Sequence, residues 1–130
     1  MNKQEYAANA VDLKANQRYS CSQAAACALA DQTELSPETI KIAMSGLAGG
    51  VGTGEGQCGA LSGAAMIAGL HLNGERVMPQ TKEISKKFIE KTGAVTCKVI
   101  RGTETGNVLC SCVDCVKNAV EAYCEVMGIE

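Results

Sequence analysis

The stretch that decides the fold is CGALSGAAMIAGLHL, residues 58–72. It is apolar on every face, so as a helix it belongs in the interior of a bundle. Gly59, Gly63 and the alanines around them let neighbouring backbones approach closely. Directly before it runs GLAGGVGTGEGQCG, residues 46–59, which holds seven of the chain's fourteen glycines. Glycine costs a helix roughly 1 kcal/mol per site relative to alanine. This segment is therefore expected to be a loop that turns with positive φ or passes close to something. It contains Gly54-x-Gly56-x-x-Gly59, a dinucleotide fingerprint by letter only, since no strand precedes it and no Walker lysine follows.

Outward from this centre the chain reads as helices. Tyr6, Ala10 and Leu13 recur at helical spacing in residues 3–17. Ser20 with Gln23 forms a capping box for a second helix. Ser36-Pro37 opens a third, running to Leu47, with proline at the first helical position. A fifth runs from Pro79 to Gly93, with Ile84 and Phe88 as its buried stripe and Lys82–Lys91 as a solvated face. TCKVIRG, residues 96–102, makes one helical turn. A last helix spans Cys110 to Met127, with Val113, Val116, Val120, Tyr123 and Met127 inward. No strand pattern is convincing. The expected fold is all-α: five to six helices packed around the central Gly/Ala-rich helix at about 58–72, in one cysteine-rich domain over 1–130.

Composition narrows the function. The chain has 130 residues, a net charge of −2 and only 3% aromatics. No basic face or stacking platform is implied, so nucleic acid is not an expected partner. The longest apolar run, near Ala60–Leu70, is too short to span a bilayer, so no membrane is expected either. One histidine, His71, excludes sites built from several histidines; near a helix end it reads as solvated or capping. The informative count is eight cysteines. MNKQEYAANAVDLKANQ carries no apolar signal core, which points to a cytoplasmic, prokaryotic setting in which thiols stay reduced unless they bind metal or do redox work.

Cys21 follows Ser20, Cys97 follows Thr96, Cys112 follows Ser111, and Cys58 leaves the glycine loop. All four are expected at or just after helix N-termini, where free N–H groups and the helix dipole favour a thiolate, the better nucleophile and metal ligand. Backbone amides of the glycine loop are expected to come near Cys58 and donate to its sulfur. Cys27 and Cys124, mid-helix among apolar residues, read as core. Cys112-Val-Asp-Cys115 is a CxxC, extended by Cys110. Its two sulfurs share a helix face and could meet one metal or each other. A thioredoxin-like reading lacks its βαβ context, and a c-type haem site lacks its histidine. Zinc prefers paired hooks; thiolates from distant segments suit iron–sulfur chemistry better.

Together these residues resemble the redox-active protein family named for its cysteine pattern, C-GCAxxG-C-C. The resemblance runs from YSCSQAA, with Cys21, through GEGQCGALSGAAMIAGL, with Cys58, and FIEKTGAVTC, with Cys97, to CVDCVKNAVEAY, where Cys112 best fits the fourth position and Cys115 is a close alternative. The literal pattern would place a cysteine at position 59, before Ala60; this chain has Cys58-Gly59 in swapped order. The resemblance implies a small helical protein with redox-active cysteines and an iron–sulfur cluster.

Two functional expectations from different classes follow. One is electron transfer or redox sensing through an iron–sulfur cluster on Cys21, Cys58, Cys97 and Cys112 or Cys115, with a redox partner protein and a homodimer compatible with it. The other is a thiol–disulfide oxidoreductase, free of cofactor, using Cys112 and Cys115 as its catalytic pair. A structural zinc or thiol interaction module is the third option.

Overall fold

Why the helices begin where they do is visible at their caps. In the computed structural model, which describes residues 1–130, Asn2 and Glu5 close a capping box on α1 (Lys3–Asn16). Ser20 and Gln23 do the same for α2 (Cys21–Ala28). Ser36, followed by Pro37 at the first position, caps α3 (Pro37–Met44). The side chain of Ser111 accepts from the Asp114 amide to start the last helix, α7 (Cys112–Met127). Between them lie α4 (Gly59–His71), α5 (Val77–Thr92) and the short α6 (Cys97–Arg101). The molecule is all-α, with one isolated antiparallel bridge between Gln57 and Thr96. No helix is long and apolar enough to cross a membrane.

Several boundaries differ from the sequence reading. α3 stops at Met44 and continues as a 3₁₀ turn, Ser45–Leu47. α5 starts at Val77, two residues before Pro79, after Arg76 in a left-handed conformation at φ 53°. Proline is tolerated there because the first turn has no N–H to lose. α7 starts at Cys112, because Ser111 is the cap, so Cys110 stays outside the helix. The glycine-rich segment turns left-handed: Gly49, Gly50, Val51 and Gly52 have φ of 65°, 63°, 58° and 79°. Glycine takes such angles without the Cβ penalty, as its abundance here implies.

α4 lies in the middle, and α7 shares that position: α7 packs against α1, α2, α4 and α5, and α4 against α2, α5 and α7. Small residues make this possible. Ala24, Ala25, Ala26, Ala60, Ala64 and Ala68 are wholly buried. A Cβ on Gly63 would stand 2.7 Å from the Ser22 carbonyl oxygen, so α4 and α2 meet backbone to backbone. Phe88, Ile84, Ile67, Val116, Val120 and Tyr123 fill the larger spaces.

α2, α4 and α7 all begin at one end of the bundle, the end α1 runs towards. At the opposite end a polar network closes the core. Tyr6 donates to Asp31 (2.8 Å), Gln32 donates to Tyr6 (3.1 Å), and Tyr123 donates to Gln32 (3.2 Å). His71, the last residue of α4, places Nδ1 2.9 Å from the Gln32 carbonyl, at an exposed helix end. No buried side-chain nitrogen or oxygen lacks a partner.

Candidate functional site

Six of the eight cysteines line one cavity of about 260 Å³ at the end where α2, α4 and α7 begin: Cys21, Cys58, Cys97, Cys110, Cys112 and Cys115. Cys21, Cys97 and Cys112 are the first residues of α2, α6 and α7, and Cys58 is the cap of α4. This is the helix-start placement the sequence implies. Cys115 sits one turn into α7, and Cys110 lies in the approach to it. Cys58, Cys97 and Cys115 are buried, Cys21 and Cys110 half-buried, and Cys112 exposed. The only charged residues lining the cavity are Lys14 and Arg101.

Backbone hydrogen bonds hold the scaffold together. The Cys58 amide donates to Val95 (2.7 Å), Cys97 donates to Gly56 (2.9 Å), and Lys98 donates to Gly54 (2.9 Å). The glycine loop is thus strapped to the segment leading into α6, which sets Cys58 and Cys97 side by side. The left-handed turn folds against the same strap. A Cβ on Gly50 would come within 2.9 Å of both the Cys97 Cβ and the Gly56 carbonyl oxygen.

The thiols feel one another. A hydrogen bond from the Cys115 thiol lowers the Cys58 pKa to about 7; burial opposes this, and the Leu61 and Ala60 amides assist it. No amide makes a regular cap hydrogen bond to Cys58, but these two lie where they favour its thiolate, as expected at a helix start. The same pairing with Cys58, with burial and the nearness of Cys110 behind it, holds Cys115 protonated, its pKa well above the thiol range. Burial raises the Cys21 pKa, an amide from Gly49 partly offsets this, and repulsion from Cys58 and Cys112 adds to it.

Two expectations shift accordingly. The glycine loop directs an amide to Cys21 rather than to Cys58, because its left-handed turn lies against the start of α2. Cys115 couples to Cys58 rather than to Cys112, its CxxC neighbour, which is exposed at the cavity rim, and its thiol lies 4.0 Å from the Cys110 carbonyl oxygen. The two outlying cysteines also separate. Cys124 is fully buried, as expected for core, and burial pushes its pKa up to about 11. Cys27 is not core: it is half-buried, with its thiol 3.6 Å from the Pro37 carbonyl, because the end of α2 borders a surface groove. Lys14, Arg101 and Gly49 were not expected at the cavity. Nothing local marks them, since they arrive from three different elements.

The swapped order at positions 58 and 59 has a steric correlate. A Cβ on residue 59 would lie 2.9 Å from the Cys21 sulfur and 2.9 Å from the Leu47 carbonyl oxygen. A cysteine there would press directly on Cys21; glycine leaves that space open, and the thiol issues from the cap instead, next to Cys115.

No three cysteine, histidine, aspartate or glutamate side chains gather tightly enough to hold a single metal ion. The thiols ring a space rather than a point.

Fold and site together define a small all-α protein with its chemistry in clustered cysteines. The chain belongs to the C_GCAxxG_C_C family, described as putative redox-active protein, whose model matches residues 19–126. No curated protein and no solved structure matches it.

Proposed function

We propose that the cavity seats an iron–sulfur cluster held by Cys21, Cys58, Cys97 and Cys112, with Cys115 the alternative fourth ligand, and that the protein transfers or senses electrons with a partner protein. The observation that carries this reading is the convergence of six cysteines, from four separate stretches of chain, on one cavity without a carboxylate or histidine in its lining. A two-thiol exchanger needs only one of those stretches besides its neighbour. Soft thiolates are the ligands iron–sulfur chemistry takes. A single ion would need its sulfurs within about 2.3 Å of one centre, whereas a cluster spreads its ligands around a cage, which suits thiols that ring a space.

The remaining groups fit an anionic guest. The N-terminal, positive ends of α2, α4 and α7 meet at the cavity, and Lys14 and Arg101 add the only side-chain charges. The amides directed at Cys21 and Cys58 would withdraw charge from sulfur and raise the reduction potential. Buried Cys58 and Cys97 keep water from the inner side, and exposed Cys112 keeps the outer side within reach of a partner. When bound, the cluster supplies one-electron transfer.

A second reading has its own observation. Cys58, its pKa lowered to about 7 by the Cys115 thiol that lines the same cavity, forms with it a dithiol poised for exchange. A series of single Cys→Ser variants, scored for iron content and for dithiol exchange, separates the two. The cluster reading expects iron to fall in each of the Cys21, Cys58 and Cys97 variants. Unchanged iron there, with exchange lost only at Cys58 and Cys115, would reverse the order.

A further inference from the structure

We infer that Lys14 and Arg101 set the redox poise of this cavity: their unpaired positive charges favour the reduced, more negative state of the cluster and so raise its reduction potential. The inference rests on the cluster reading above and gives these two residues a part in it. They come from separate elements, α1 and α6, and are the only charged side chains in a lining that holds six thiols and no carboxylate. Neither is in an ion pair; the ion pairs of the molecule are made by Lys3, Lys86, Lys87, Lys91 and Lys98. Carboxylates on the neighbouring segments are engaged elsewhere. Asp12 accepts from Asn16 (2.8 Å) and Gln17 (3.4 Å), and Lys98 draws Glu55 (2.9 Å) and Glu104 (3.0 Å) to itself. Lys14 and Arg101 each stand in the last turn of their helix, whose carbonyl end suits a cation without a carboxylate.

The charge arithmetic gives the sign. Four thiolates outweigh the positive charge of an iron–sulfur core, so the bound group is an anion. Reduction takes one electron from the partner protein, which is oxidised in turn, and deepens that negative charge by one. A fixed positive charge attracts the reduced form more than the oxidised one, and no carboxylate in the lining offsets it. Lys14 is half-buried and Arg101 exposed. A half-buried charge is screened less than an exposed one, so Lys14 should weigh more than Arg101 and keep its influence in salt.

The test has two arms, both on the full chain. In the first, the unaltered protein and the Lys14→Gln, Lys14→Arg, Arg101→Gln and Arg101→Lys variants are loaded anaerobically with iron and sulfide. The midpoint potential is then titrated on whatever fraction holds the cluster. The equilibrium constant for reduction should fall roughly fivefold in Lys14→Gln and less in Arg101→Gln. The charge-keeping variants should stay close to the unaltered protein. At about 1 M salt, where screening acts over about 3 Å, the Arg101 difference should vanish and the Lys14 difference persist. In the second arm, reduced metal-free protein is treated with an anionic aromatic disulfide (dithiobis-nitrobenzoate) and with a neutral one (dithiodipyridine). Their rates at exposed Cys112 are compared by peptide mass. Preference for the anionic reagent should fall roughly threefold in each glutamine variant and return in Lys14→Arg and Arg101→Lys. A midpoint unmoved by either glutamine variant, or moved as far by the charge-keeping ones, would overturn the inference. Unaltered protein that takes up no iron would overturn the cluster reading. The second arm is free of metal, and an unmoved reagent preference there would overturn the action of the two cations on the cavity as well.

Discussion

The two ends of this bundle are built from the same helices and differ in what their polar groups face. At the tyrosine end, Tyr6, Asp31, Gln32 and Tyr123 satisfy one another in a closed network. At the thiol end, the starts of α2, α4 and α7 direct sulfurs and amides at a cavity, and Lys14 of α1 and Arg101 of α6 add two cations. A polar network paired within itself holds structure, whereas polar groups aimed at a shared space await a guest. Stability should therefore depend mainly on one end and iron on the other.

The sharpest contrast is between a substitution at each end. Tyr123 is fully buried, so Tyr123→Ala should cost about 4 kcal/mol in urea unfolding, the usual scale for removing a buried aromatic ring. Cys58→Ser should change stability by no more than about 1 kcal/mol yet lose most of the iron. Similar iron loss in both variants after correction for unfolded protein would dissolve the distinction between the ends.

A glycine test comes next. Gly50→Val adds a β-branched side chain at φ 63°, against Cys97 and the Gly56 carbonyl. It should destabilise by about 3 kcal/mol, combining left-handed strain with overpacking. Val51 next to it already has φ 58° but is 59% exposed. Val51→Gly should therefore gain about 0.5 kcal/mol, strain relief less the entropy of a freer unfolded chain. Equal responses at the two positions would mean the turn is not packed against Cys97.

Tyr123→Phe keeps the ring and removes only the donor to Gln32. It should cost about 1 kcal/mol and leave iron binding as in the unaltered protein.

The smallest effect is a pH dependence of the metal-free, reduced protein. An unfolded thiol titrates near about 8.5. Folded Cys58 titrates at about 7, so between these values the unfolded chain binds more protons and stability rises with pH. Cys115, Cys21, Cys27 and Cys124 have raised pKa values, with Cys124 at about 11. Above about 8.5 the folded chain holds protons that the unfolded one has lost, and stability declines as pH rises. Unfolding curves should show a maximum near that pH. Cys58→Ser should remove the rising limb and Cys124→Ala should soften the falling one.

Much of the fold is legible in the chain, because its determinants are local. Ser20 with Gln23, Ser36 with Pro37, and Gly93 after α5 mark helix ends by chemistry confined to a few residues. The glycine-rich segment announces positive φ for the same reason, and helix-start cysteines follow from the caps. What the sequence does not carry is which elements meet. The cavity that Cys58 and Cys115 share joins the cap of α4 to α7, more than fifty residues away, and no spacing rule links them. The CxxC spacing instead draws attention to Cys112, which the cap at Ser111 turns to the rim. Cys27 misleads because an alanine-rich helix looks buried all round, although its last turn borders a groove.

Whether the six-thiol cavity holds an iron–sulfur cluster is read from the iron and acid-labile sulfide content of anaerobically prepared protein, together with its visible spectrum. The protein should be coloured and hold iron and sulfide in comparable amounts, both lost in the Cys58→Ser variant. Colourless protein that takes up neither iron nor sulfide on anaerobic reconstitution, with all eight thiols reduced, would contradict it.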